Sequence, residues 1–295
     1  MALNLEIVSS LEPMQAASGL ALSAFSTLDE FRSELLRLIG ASNPGRSVHV
    51  TLKPPVHPSL SIPLAFKTLV EVIQTYHAEQ LAFKVHVEDE EAIDYLYKYL
   101  PIEDRPSKSV RYGSAHVTVM LGDIVSVPAD AIVNASGGGL RLGGGVSGAI
   151  RDAAHVGLQQ ELHRLAAIRN LAPGDVVVTP SFGISSTRYI FHAATTSAKE
   201  EVVRLGIQNV LKECKARELS SVAFPALATG VGGLPVDVCA RLFRDELAIC
   251  LAGTDSTLKE VYLVLWTKGA FDAFVKVFDT VDQMRTGNKR SGGGD

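Results

Sequence analysis

The chain has 295 residues, 46% of them hydrophobic and 20% charged, with a formal net charge of −4. That length and apolar content provide core for one large domain or two ordinary ones, and exclude a chain too polar to fold. The acidic balance offers no general attraction to nucleic acid or to an acidic membrane surface.

No stretch reaches the roughly 18 consecutive apolar residues of a membrane-spanning helix. The opening "MALNLEIVSS" carries a glutamate and no early positive charge, unlike a signal peptide, so a cytoplasmic location is expected. In chain order, "STLDEFRSELLRLIG" (26–40) has helical spacing, with Ser26 or Thr27 as cap and Gly40 as stop. "SVHVTLK" (47–53) alternates like a half-buried strand, "LAFKTLVEVIQTYHAEQ" (64–80) is helical, and "LAFKVHV" (81–87) is a second strand. "DEEAIDYLYKYL" (89–100) begins with acids at the positive end of a helix dipole. Residues 1–105 therefore read as a small mixed α/β domain with no chemical motif, whose open role is to reach a protein partner. Its His49, His57, His77 and His86 fall into no ligand spacing and read as solvated or satisfied. "PIEDRPSKSVRYGS" (101–114), with two prolines and mixed charge, reads as a connection over the surface.

Beyond it, short apolar strands alternate with helices. "AHVTVMLGDI" (115–124) is a strand running into a turn, and "DAIVNA" (130–135) is a buried strand. "GVSGAIRDAAHVGLQQELHRLA" (145–166) is a helix, followed by strands in "GDVVVTPS" (174–181) and "RYIFHAA" (188–194). A helix at 200–218, a strand at 220–227, a helix at 235–252, a strand at 260–266 and a closing helix at 270–284 complete the series. This alternation predicts an α/β fold, a sheet with helices on both faces. The tail "RTGNKRSGGGD" has no apolar residue, and residues 284–295 are expected to be disordered. Cys214, Cys239 and Cys250 have no ligand spacing and lie in predicted helices, so they read as reduced thiols; no metal and no cofactor is expected.

One stretch is chemically unusual. "NASGGGLRLGGGVSGAI" (134–150) holds seven of the 25 glycines in seventeen positions. Gly143, Gly145 and Gly148 satisfy G-x-G-x-x-G, but the preceding strand ends near Asn134, too early for a dinucleotide fold, and no strand ending in an acid follows at the right distance. Consecutive glycines followed at once by a helix nevertheless make an anion site, because bare backbone and free N–H groups face the ligand. A second glycine loop, "ATGVGGLP" (228–235), also joins a strand to a helix, so the two loops could clamp one ligand.

In the order "LGDIVSVPADAIVNAS…LGGGVSGAI…GDVVVTPSF…YIFHA…SVAFPALATGVGGLP…EVYLVLW", residues 113–283 resemble a macrodomain, the ADP-ribose-binding fold. The resemblance implies a three-layer α/β/α domain with a mixed central sheet. It assigns Asp123 to the adenine amino group, with Ile124 giving a backbone contact. A carboxylate suits that place because it accepts from an exocyclic amine; capping a turn is the plainer role for the same residue. Gly143, Gly144, Gly145 and Val146 match the first diphosphate loop, and Ala228, Thr229, Gly230, Val231, Gly232 and Gly233 match the second. Trp266 falls where relatives often stack an aromatic on adenine, with core packing as its alternative. Asn134 would approach the distal ribose.

The chain departs from the family pattern at the ribose end. Gly137 stands where hydrolytic relatives carry the signature's second asparagine, Ser147 where one branch carries an aspartate, and Gly232 where an aromatic is usual. Serine is a poor general base and glycine orients nothing. The expected function is therefore a reader that binds ADP-ribose or an ADP-ribosylated protein. The alternatives left open are an ADP-ribosyl glycohydrolase, acting on modified proteins or on O-acetyl-ADP-ribose, and an adaptor for poly(ADP-ribose) or nucleic-acid ends. His155, His163 and His192 are the candidates for a rescuing base, each with an ordinary structural role beside it.

Overall fold

The computed structural model describes residues 3, 5–9, 19–21, 24–43, 47–52, 61–76, 78–87, 90–169, 171–252 and 257–287. His57, His77 and residues 288–295 lie outside them. The chain divides into two compact units, Met1–Arg105 and Pro106–Asp295.

The first unit runs β1 (Leu5–Ser9), β2 (Gly19–Ala21), α1 (Leu28–Ala41), β3 (Ser47–Leu52), α2 (Ile62–Thr75), β4 (Ala82–Val87) and α3 (Glu90–Leu96). Its four strands form one parallel sheet in the order β1-β4-β3-β2. Alternation decides what is buried: Val48, Val50 and Leu52 of β3 and Phe83, Val85 and Val87 of β4 join α2 in the core. Thr27 and Glu30 close a capping box at the start of α1, satisfying two of its free backbone donors. On the other face of the sheet, His49 and His86 stack at 5.3 Å and share a 3.0 Å hydrogen bond.

The second unit runs β5 (Ser107–Tyr112), β6 (Ala115–Leu121), β7 (Ala131–Ser136), α4 (Gly145–Ala153), α5 (Gly157–Ile168), β8 (Val176–Pro180), β9 (Tyr189–Ala194), α6 (Glu200–Ala216), β10 (Ser221–Phe224), α7 (Val236–Cys250), β11 (Glu260–Leu265) and α8 (Lys268–Gly287). The strands form a seven-stranded mixed sheet, β5-β6-β11-β10-β7-β9-β8. The five central strands are parallel, and both edges are antiparallel. Strands such as "AIVNAS" and "SVAF" are apolar almost throughout because helices cover both faces. The result is the three-layer α/β/α arrangement, with α6, α7 and α8 side by side and α4 packed on β7.

Three local readings are corrected. The expected surface connection at 101–114 contains β5, which turns at Gly113 (φ 56°) into β6. Only Val110 and Tyr112 of this edge strand are buried, so its polar remainder looks like a linker. The single helix expected at 145–166 is two, because Ala154 is extended and His155 N–H donates to Phe182 O at 2.7 Å. The last helix runs on to Gly287, through the first residues of the expected tail.

Candidate functional site

Because the five central strands are parallel, their C-terminal ends open along one edge of the sheet. In order across it stand the residues after β6, β11, β10, β7 and β9. Ligands of open α/β sheets bind at this edge.

At the β6–β11 end, Gly122 N–H donates to Leu265 O at 2.8 Å, which sets Trp266 beside the turn that carries Asp123. Asp123 caps the short 3₁₀ turn Ile124–Ser126: its Oδ1 accepts from Val125 N–H at 3.1 Å. The capping role weighed from sequence is thus present. It occupies one carboxylate oxygen; Oδ2 takes no hydrogen bond among the described residues. Trp266 is 37% exposed, so the ring is not a core residue. Ile124 is buried.

The first glycine loop is braced from behind. Gln159 of α5 holds it twice, accepting from Leu142 N–H at 2.9 Å and donating to Leu140 O at 3.4 Å. Arg151 of α4 donates to Gly143 O at 3.0 Å. Loop carbonyls are therefore drawn onto side chains, while Gly143, Gly144 and Gly145 stay exposed. Helix α4 starts after Gly144 with no side-chain cap, so the N–H groups of Gly145, Val146 and Ser147 have no partner among the described residues. Gly145 adopts φ 57°, and a Cβ on Gly148 would lie 3.1 Å from Gly143 O. Glycine is favoured at Gly145 by its backbone conformation, and at Gly148 a side chain would crowd the loop carbonyl.

The second loop is built differently. Ala228 sits at φ 63°, and its carbonyl accepts from Leu234 N–H at 3.0 Å, closing the loop at its base. Thr229 Oγ1 bonds Ala226 O at 2.9 Å, and Gly233 N–H bonds Gly230 O at 3.0 Å. The N–H groups of Gly230, Val231 and Gly232 are left without partners among the described residues, and Val231 projects wholly into solvent. Helix α7 begins after Pro235, also without a side-chain cap. A Cβ at Gly232 would lie 2.5 Å from Ala228 O, so this conformation holds no side chain there.

Beneath the first loop lies a sealed polar relay. Ser147 Oγ donates to Asn134 Oδ1 at 2.7 Å, and Asn134 Nδ2 reaches Ser136 Oγ at 3.1 Å and His192 Nδ1 at 3.2 Å. His192 Nε2 meets Thr179 Oγ1 at 3.1 Å. Asn134 and His192 are both 0% exposed. The Asn134 amide, read from sequence as a ribose contact, is engaged entirely inside the protein. Burial drives His192 down to about 3, so it is neutral at physiological pH. His155 lies at the α4–α5 break against the β8–β9 turn, on the sheet edge opposite the loops, and His163 is exposed on α5. None of the three reaches the crevice as a base.

Sequence reasoning missed the supports Gln159, Arg151 and Thr179, whose partners lie on other segments, and Ser136, whose partner Asn134 is two residues away on the same strand. Among the described residues no three His, Cys, Asp or Glu side chains gather as a metal site. Burial pushes the Cys214 thiol up to about 12 and raises Cys239 as well, which leaves both unreactive. No helix of the described residues is long and apolar enough to cross a membrane.

The macro domain family model matches residues 133–243. An uncharacterized protein of Saccharolobus solfataricus is 34% identical over 169 residues, which cover 56% of this chain and 93% of that one. A macrodomain of Oceanobacillus iheyensis solved with ADP is 26% identical, with a TM-score of 0.57, covering 61% of this chain and 98% of that one. A mutant of that macrodomain solved with ADPR is 25% identical at the same TM-score, covering 60% of this chain and all of that one.

Proposed function

The chain belongs to the macrodomain family, and on that premise we propose that its second unit binds ADP-ribose, free or attached to a protein, and holds it without cleaving it. One observation carries the reading. Two loops with consecutive unpartnered N–H groups stand on neighbouring strand ends, each leading into a helix with no side-chain cap. A diphosphate supplies the acceptors and the negative charge that both helix ends favour. Asp123 Oδ2 then accepts from the adenine amine, and Trp266 stacks on the ring. That the similar Oceanobacillus macrodomain has been solved with ADP and, as a mutant, with ADPR supports a ligand of this class.

The reading against cleavage rests on what the far end lacks. Ser147 is turned inward to Asn134, His192 is buried and neutral, and Gly137 and Gly232 present no side chain. Among the described residues named here, none is placed to take a proton from water. The compartment follows the sequence reading, the cytoplasm.

Titration calorimetry with ADP-ribose is expected to give a micromolar Kd, about −8 kcal/mol; no heat at millimolar ligand would overturn the assignment. Incubation with a mono-ADP-ribosylated acceptor is expected to leave its label in place. Label loss abolished by a substitution in either glycine loop would make the protein a hydrolase instead.

A further inference from the structure

We propose that Thr196, just beyond the end of β9, supplies the side-chain hydrogen bond to the distal ribose. The proposal rests on the ADP-ribose reading above. It follows from an inventory of polar side chains at the far end of the crevice, where β7 and β9 run out side by side with Ser136 opposite Ala194. Asn134 is sealed, with its oxygen and its amine both occupied. Ser136 is buried and accepts from Asn134. Residues 137 to 139 are glycines and bring no side chain. Thr195 is wholly buried, and its hydroxyl is turned back to Ala193 O. Ser197 Oγ accepts from Lys199 N–H, and Ala198 has no polar side-chain atom.

Thr196 remains. It is exposed, and its hydroxyl takes no hydrogen bond among the described residues. Its position is specific: a Cβ built on Gly137 would come within 3.3 Å of Thr196 Oγ1. The threonine hydroxyl thus stands against the space that a side chain on residue 137 would enter. Gly137 and Thr196 Oγ1 are therefore near neighbours, and a side chain at 137 would press on the hydroxyl unless it shifted. A hydroxyl both donates and accepts, as a vicinal diol requires. A ligand that ends at the diphosphate does not extend to this place; one carrying a further pentose does.

The test compares ADP-ribose with ADP on the full chain by titration calorimetry, using Thr196→Val, which keeps the shape and removes the hydroxyl. ADP-ribose is expected to weaken about five- to tenfold, the loss of one hydrogen bond, while ADP is unchanged. An unchanged ADP-ribose affinity, or an equal loss for both ligands, overturns the proposal. The double variant Gly137→Asn with Thr196→Ala checks the pairing: it is expected to recover ADP-ribose affinity relative to Thr196→Ala alone, because the alanine vacates the contested space. No recovery in a variant that still binds ADP normally counts against it. A wild-type protein that binds neither ligand would instead refute the ADP-ribose reading itself.

Discussion

Ser147 and Asn134 are joined by a 2.7 Å hydrogen bond in which the serine donates, and both side chains are buried. This bond ties the first turn of α4 to strand β7, and so fixes where the unpartnered N–H groups of that turn point. Ser147→Ala leaves the amide oxygen buried without its donor, a cost of about 1–3 kcal/mol in stability. On the proposed reading, in which this turn holds the diphosphate, it is expected to weaken ADP and ADP-ribose together by a similar factor. Calorimetry with both ligands checks this; a loss confined to ADP-ribose would show that the serine acts at the ribose.

Asp123 predicts a base preference. If, as proposed, its carboxylate accepts from adenine's amine, it repels a carbonyl at the same position, and ADP is expected to bind at least about tenfold more tightly than inosine diphosphate. Asp123→Asn keeps an oxygen for Val125 N–H and presents an amine to the ligand. The variant is expected to narrow or reverse the preference in a competition titration.

Trp266 is the chain's single tryptophan and is partly exposed, so its emission reports on one place. ADP-ribose is expected to change that emission, and ribose 5-phosphate, which lacks the base, to leave it alone. Trp266→Ala is expected to cost about 1–3 kcal/mol of binding, the usual worth of a base stacked on an aromatic.

His192 makes stability depend on acid in a defined direction. Burial lowers it from the ordinary 6.5 to about 3, so between those values the unfolded chain binds a proton that the folded chain refuses. Its contribution is complete above pH 6.5 and falls as the pH drops through that window, by up to about 1.4 kcal/mol per unit. Urea denaturation at pH 7, 5.5 and 4.5 is expected to show the slope, and His192→Gln to reduce it. An equal slope in the variant would assign the acid sensitivity to other groups.

The fold was legible where periodicity is strong. Helices such as α6 and α7 and the apolar strands β7, β9 and β11 announce themselves, whereas the edge strand β5 buries only alternate residues and its polar half resembles a linker. The two glycine loops were legible because bare backbone ahead of a helix has few other uses. The direction in which polar side chains point was not. In a sheet covered on both faces, alternation no longer separates inside from outside, so the hydrogen bonds of Asn134 to Ser147 and His192 were not legible. Arg151 and Gln159 act through partners on other segments, and local sequence carries no trace of that.

The relay has a direction, and the direction stores information. With the Asn134 amide group facing His192 Nδ1, that nitrogen accepts; the matching tautomer carries its proton on Nε2 and donates a hydrogen bond to Thr179 Oγ1. Exchanging Ser147 for a carboxylate would set two acceptors face to face. The amide would have to turn over, the histidine to move its proton to Nδ1, and the threonine to become a donor. A single replacement beside the ligand would therefore rewrite hydrogen-bond polarity across three strands. The histidine tautomer, read from ring nitrogen shifts, is a remote record of which residue occupies position 147.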